Sequence, residues 1–406
     1  MKRAAVIGLS IGLFAGISAI AWGYEVETHE EMSQKAMEAS VLAKDPKLLT
    51  DLGLKPLSDK QKFPNSKNSD QDIANLFRDG AKFEDGFDCT DTRPRNHFYD
   101  PLSGSGLKWG LITGAPSPDW ALEDKGDVNG QEFSYKNARQ YLYDALTAKS
   151  PAEHDKNFGL TFQTLGQIIH HLQDMAQPQH VRNDPHYVAP PDCGAVTYLG
   201  KLLGDNHSRY ELYTNEHRGK LDYNGKAVSF LNPRSFWTTG SGQGLAEYTN
   251  RNFVSAGTNY QLFNDSPVPH VNYFEPIPSG FGPLVTIEEL FNERGETTTL
   301  TGVMGFVENE VYDPRTGIQT TNKRSASLSI YDQDLKTHGV AVPYADPVSG
   351  ETWWTNRLFT LNRFNFDAAH GFLIPRAVAY SAGLIDYFFR GRLGAEENST
   401  EPRSLT

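Results

Sequence analysis

The sequence predicts a mainly α-helical fold carrying a small β-containing insertion, on three observations. Between residues 155 and 176, Phe158, Phe162, Leu165, Ile169 and Leu172 recur at steps of four and three, the signature of a core-facing helical stripe. Near the end, FLIPRAVAYSAGLIDYFFRGRL again reads as a long apolar helix. Between these, residues 265–355 are rich in Pro, Gly and Thr, with short β-prone runs such as LTGVMGFVENEVY and SASLSIY. At 406 residues with 38% hydrophobic and 12% aromatic content, the chain has material for a sizeable core.

Taken in order, the first element is an export address. Lys2 and Arg3 precede an apolar run from Ala4 to Ala21 that ends Ala19-Ile20-Ala21, a small-x-small cleavage pattern. A membrane anchor is the competing reading, but the polar, acidic residues 23–31 follow at once. We therefore expect a secreted protein cut after Ala21, with Trp22 as its first mature residue. In an oxidising compartment the two cysteines, Cys89 and Cys193, are expected to form one disulfide. Two unrelated buried thiols are the plainer alternative.

HEEMSQKAMEASVLA is a helix former with Thr28 as N-cap and Glu31 closing a capping box. Residues 47–72, broken by Pro56 and Pro64, read mainly as loop. A helix is predicted from Ser134 to Thr147, then the central helix over 155–176, which Pro178 is expected to end. Residues 181–203 read as loop, followed by a helix carrying His207 and Glu211, and GLAEYTNRNFVSAGTNY as another helix. The domain reading is a signal peptide at 1–21, a helical domain from 22–264 plus 356–393, an insertion at 265–355 and a flexible tail at 394–406.

The chemistry-bearing residues lie in this helical part. His170 and Asp174 stand one helical turn apart, so both side chains reach one ion. His180 follows across a Gln-Pro, His207 and Glu211 repeat the one-turn spacing, and Asp85 and His97 stand upstream in FEDGFDCTDTRPRNHFYDP. One His-x-x-x-Asp alone is weak evidence, since helices carry such pairs as surface hydrogen bonds. Two pairs, an intervening His and a separate HFYDP run make a multi-metal set. Imidazole with carboxylate is the donor chemistry zinc favours.

In this set the sequence resembles the zinc-dependent phospholipase C family of bacteria. The resemblance is carried by Trp22, His29, the 80–85 segment, HFYDP at 97–101, the His170–His180 run and His207-x-x-x-Glu211, and spans residues 22 to about 215. It implies a mainly helical bundle around a tri-zinc cleft. One zinc ion would be held by Asp85, His97, His170 and Asp174. A second would be held by the α-amino group and carbonyl of Trp22 with His29, sharing Asp174, and a third by His180, His207 and Glu211. Six positive charges against three carboxylates leave a surplus of about three, suited to a phosphodiester and its transition state. The family assigns Asp85 the orientation or deprotonation of the attacking water. The implied substrate partner is a phospholipid membrane surface, with no nucleic acid and no stable protein partner in the preferred reading.

Other readings stay open at this point. Single-strand-specific zinc nucleases of the same superfamily share the metal pattern. The formal charge of −12, or −14 without Lys2 and Arg3, and the lack of a basic cluster weaken that option. A metal-stabilised lipid-binding protein without turnover is the more distant alternative. Glu84 rivals Asp85, with Asp79 weaker, and His171 points about 100° away from His170 on the helix, to support the ligands from behind or to lie at the surface. Asp100 and Asp184 are expected as turn formers before Pro101 and Pro185. His154, His186, His217, His270, His338 and His370 lack paired spacing and are expected at the surface or in structural roles. His186 is the one to watch, because it follows His180 closely. Phe274, Phe281, Phe291 and Phe306 of the insertion are expected to form a small core rather than a lipid contact.

Overall fold

The computed structural model describes residues 25–59, 61–64, 70–85, 93–109, 112–186, 208–218, 226–255, 278–328, 344–345, 352–353 and 359–390. Trp22, Cys89, Cys193 and His207 lie outside the described residues, as do the Ala21 cleavage point and the 394–406 tail. The architecture is mainly α. Its principal helices are α1 (Val26–Ala39), α2 (Ile73–Glu84), α3 (Tyr135–Leu146), α4 (Pro151–Asp174), α5 (Pro178–Val181), α6 (Arg209–Glu216), α7 (Leu245–Asn252), α8 (Ile287–Glu293) and α9 (Arg363–Phe388). No helix among the described residues is long and apolar enough to cross a membrane.

Helix α4 is the organising element. Ser150 caps it by accepting from Glu153 N, and Pro151 takes the first-turn position where a missing N–H is harmless. Every residue from Thr161 to Asp174 is buried, so the helix is surrounded rather than amphipathic. Phe158, Phe162, Leu165, Ile169 and Leu172 are all fully buried in the main core, each contributing roughly 1.5–3 kcal/mol by leaving water. Helices α1, α2, α3 and α9 all pack on it.

The approach of α2 to α4 is set by two glycines. A Cβ on Gly80 would lie 2.0 Å from the Gln163 carbonyl oxygen, and one on Gly166 would lie 2.3 Å from that of Phe77. The backbones meet with no side chain between them. That contact carries Ala81, Glu84 and Asp85 against the last turns of α4, where His170 and Asp174 stand.

The β part is a four-stranded antiparallel sheet of β1 (Pro278–Phe281), β2 (Phe306–Asp313), β3 (Ile318–Leu328) and β4 (Phe359–Thr360), in the order β4-β3-β2-β1. Its strands β2 and β3 pair from Phe306↔Ser327 to Asp313↔Ile318, with a bulge between Val307 and Asn309. Val307, Val311 and Ala326 enter the main core. Phe291 and Phe306 pack with Ile287, Leu290, Met304 and Phe364 in a second cluster. Phe274 lies outside the described residues, as does the side chain of Phe281.

Several element boundaries differ from expectation. Helix α1 starts at Val26 with Glu25 at the N-cap, so Thr28 is a buried helical residue and not a cap. Where described, residues 47–72 are mainly turn and coil as expected, but they also hold part of the short helix Pro46–Asp51 behind an Asp45 cap and the pairing of Phe63–Pro64 with Asp70–Gln71. The central helix ends at Asp174, before the proline, and Pro178 opens α5 at its first position. Helix α7 stops at Asn252 instead of continuing toward 260. There the Asn252 side chain bonds to Tyr312 in both directions, Nδ2 to Tyr312 O at 3.3 Å and Oδ1 from Tyr312 N at 3.2 Å. Phe253 and Val254 then bury into the core in place of a further helical turn.

Candidate metal centre

Six elements deliver the candidate ligands. The buried face of α1 presents His29, and the C-cap of α2 is Asp85. A 3-10 turn over Arg93–Asn96 ends in His97, α4 supplies His170 and Asp174, and α5 and α6 carry His180 and Glu211. All are buried: Asp85 retains 2% exposure, Glu211 1%, and His29, His97, His170, Asp174 and His180 none. The described members of the expected set thus converge. Trp22 and His207 lie outside the described residues.

The innermost four form a small polyhedron. His170 Nε2 lies 3.3 Å from His97 Nδ1, 3.5 Å from Asp85 Oδ1 and 3.4 Å from Asp174 Oδ2. His97 Nδ1 lies 3.1 Å from Asp174 Oδ2 and 3.5 Å from Asp85 Oδ1. Four donors about 2.0–2.1 Å from a shared ion form a tetrahedron with edges of about 3.3–3.4 Å. Five of the six donor separations thus lie near that length.

The protonation pattern points the same way. His170 Nδ1 donates to Ala81 O at 2.7 Å, and His180 Nδ1 donates to His97 O at 3.2 Å. His29 Nδ1 donates to Gln173 Oε1 at 2.7 Å, and Gln173 Nε2 in turn donates to Ser33 Oγ. With Nδ1 carrying the proton, the Nε2 lone pair is the one left to bind an ion, as carbonyls accepting from the other ring nitrogen arrange for metal-bound histidines. His170 Nε2 then faces the two aspartates with no proton to offer. None of the four carboxylate oxygens of Asp85 and Asp174 accepts a hydrogen bond from the described residues. Burying acceptors in this way is unfavourable unless a cation sits among them.

Charge on the individual groups reflects this crowding. Burial, then the neighbouring His29, holds the His170 imidazolium form well below its ordinary range. Burial opposes charge on His97 too, but Asp174 foremost outweighs it and raises that group to about 10. The Asp85 carboxyl is pushed well above the usual range by burial, which the nearby His97 only partly offsets. Asp174 goes the other way: burial raises it, yet His170, His180 and His97 together bring it well below.

Glu84 is turned away from this centre. Its Oε1 accepts from Trp120 Nε1 at 3.0 Å and His171 Nε2 at 2.7 Å, and Oε2 pairs with Arg93. Against the cost of burial, Arg93 and then His171 hold it ionised well below the usual carboxylate range. Glu84 also stands 3.8 Å from His97 Nε2, so it backs the centre rather than joining it. His171 is buried with it and is not a surface residue. Asp100 accepts from Leu102 N and Ser103 Oγ in the turn expected of it.

A residue that spacing alone does not mark is His186. Its Nε2 lies 2.8 Å from Glu211 Oε1, and with His180 it forms a further group whose ligand atoms lie within 4.8 Å of one another. Its only sequence signal is closeness to His180. The buried His, Asp and Glu clusters together can hold metal ions. No family model matches this chain, and neither a curated protein nor a solved structure matches it.

Proposed function

We propose that the chain is a secreted zinc-dependent phosphodiesterase of phospholipase C type, acting on glycerophospholipids. The observation that supports it most is the buried convergence of Asp85, His97, His170 and Asp174 donors, with the unprotonated His170 Nε2 facing both carboxylates. Two imidazoles and two carboxylates on rigid elements suit zinc better than calcium or magnesium, which take oxygen ligands. Three ions are proposed, with the α-amino group of Trp22 and His207 completing the donor sets beside His29, Asp174, His180 and Glu211.

Zinc bound there supplies Lewis acidity, making water nucleophilic near neutral pH and neutralising phosphoryl oxygens. Asp85 orients the water and takes its proton as the water oxygen bonds to phosphorus. The bond from phosphorus to the glycerol oxygen breaks, and the proton passes to that oxygen. Diacylglycerol and a phosphorylated head group result. Buried Nδ1–H bonds to carbonyls keep His29, His170 and His180 from rotating during the reaction.

The test is turnover by the purified mature protein on phosphatidylcholine vesicles and on single-stranded nucleic acid, before and after chelation and zinc return. Lipid hydrolysis that disappears with chelator and returns with zinc is expected. Cleavage of nucleic acid alone would replace this reading with the nuclease one, and no turnover on either substrate would favour a metal-stabilised binding protein. One added residue before Trp22 is expected to lower zinc content.

A further inference from the structure

We infer that His186 is itself a metal ligand, making with His180 and Glu211 a two-imidazole, one-carboxylate site for a zinc-type divalent cation. The inference rests on the metal-centre reading above and extends it to a residue outside the expected donor set. Two histidines and a glutamate, with a position left for water, form a recurrent catalytic zinc ligand set.

The geometry is built rather than incidental. After α5, Arg182 is buried and donates to Asn250 O at 2.6 Å, while Asn250 Nδ2 donates to Val181 O at 2.6 Å. Asn183 then adopts a left-handed conformation with φ 49°, tolerated by Asn better than by most residues, and Nδ2 bonds to Ser105 Oγ at 3.2 Å. Asp184 N closes the turn on Gln179 O at 3.0 Å. This reversal brings His186 back beside His180, their ring centroids 5.2 Å apart, with Phe98 stacked on His180 at 4.3 Å.

The ligand atoms of the three residues lie within 4.8 Å of one another. His186 Nε2 is 2.8 Å and His180 Nε2 is 3.9 Å from Glu211 Oε1, bracketing the edge of about 3.3 Å that a tetrahedral zinc site requires. All three residues are at least nine-tenths buried. His180 Nδ1 and His186 Nδ1 both face backbone carbonyls, of His97 at 3.2 Å and Asp184 at 3.4 Å, which leaves each Nε2 toward Glu211. The expected third-site ligand His207 belongs to the same neighbourhood by sequence, one residue before the Ser208 cap of α6. His186 is inferred to bind whether or not His207 does.

The experiment uses the full mature chain carrying His186→Ala, His207→Ala or His186→Cys, with metal per chain measured after dialysis and Co(II) substitution followed by absorption. His186→Ala is expected to lose one equivalent of metal while the other ions stay, with affinity at that site falling by more than about 100-fold. That exceeds the 10–100-fold typical of losing a residue that only orients a ligand. Retention of the other ions shows that the variant has folded. His186→Cys is expected to restore the equivalent and add a thiolate-to-cobalt charge-transfer band. Full metal content with an unchanged cobalt spectrum in His186→Ala, or no such band in His186→Cys, would overturn the inference. None of these readouts needs lipid hydrolysis, so a metal-replete protein inactive on lipid would sink the proposed function and leave His186 a ligand.

Discussion

Gly80 of α2 and Gly166 of α4 pass each other backbone to backbone, and this crossing sets Ala81 O at 2.7 Å from His170 Nδ1. Replacing a mid-helix glycine with alanine ordinarily stabilises a helix by about 1 kcal/mol. Here the added methyl would meet the Gln163 carbonyl oxygen at 2.0 Å, and backbone atoms cannot swing aside. Overpacking of this kind typically costs 1–3 kcal/mol, so the clash wins. Gly80→Ala is expected to destabilise the protein by roughly 1–3 kcal/mol in urea unfolding and to lower metal content, because α2 carries Asp85. A gain in stability would contradict the crossing.

Glu84 and Asp85 are neighbours with opposite duties, and their variants are expected to separate. Asp85→Asn removes a buried carboxylate that burial already pushes toward its neutral form. The metal-free protein is then expected to unfold at an equal or higher temperature, while metal content drops and turnover falls roughly 100-fold or more. Glu84→Gln removes the carboxylate from Arg93, whose side chain is only 13% exposed and which keeps its bond to Gln167 Oε1 at 3.1 Å, and weakens the bonds to Trp120 and His171. A stability loss of roughly 2–4 kcal/mol is expected, just under that for breaking a fully buried pair, with metal stoichiometry kept. The reverse pattern in metal analysis and thermal melts would exchange the two roles.

Much of this arrangement is legible in the sequence because it follows helical period. The α4 stripe and the His170–Asp174 pair sit where 3.6-residue geometry puts them. Helix ends were harder. Pro178 reads as a stop, but a proline equally opens a helix at its first position, and here it begins α5. Asp45-Pro46 carried the same opening signal for the short helix Pro46–Asp51 within a segment read as loop. The Gly80–Gly166 contact and the approach of His186 to Glu211 join positions far apart in the chain. No local pattern encodes such pairings, so only the folded core reveals them.

The sheet is tied to α9 by Asp313 and Arg376, whose carboxylate and guanidinium lie 3.1 Å apart. Burial alone would raise Asp313, but Arg376 foremost, with the Arg315 N–H, brings it below the ordinary aspartate value. The folded value is therefore below the unfolded one, near 3.9. The pair's contribution is complete above that value and is lost as pH falls through the folded one. Asp313→Asn is expected to be less stable than the parent by a constant amount from about pH 5 to 8. The gap should close on acidification below about pH 4. Denaturant melts across that range check it, and a gap that widens in acid would reverse the sign.

Removing metal is expected to cost stability through the same carboxylates that bind it. Asp85 and Asp174 lie buried around His97 and His170 with no hydrogen bonds to their oxygens from the described residues, so an ion-free centre keeps acceptors close together. An ion bound by the folded chain alone adds RT ln(1 + [L]/Kd), about 2.7 kcal/mol at a free concentration of 100 times Kd. Chelation is expected to lower the melting temperature by several degrees, and zinc to restore it. Calcium and magnesium, which prefer all-oxygen sets, should not restore it. Calorimetry on the chelated protein with each ion in turn makes the comparison. A melting temperature indifferent to chelation, or recovered equally well by magnesium, would mean that these histidines and aspartates are a core polar network with no ion at its centre.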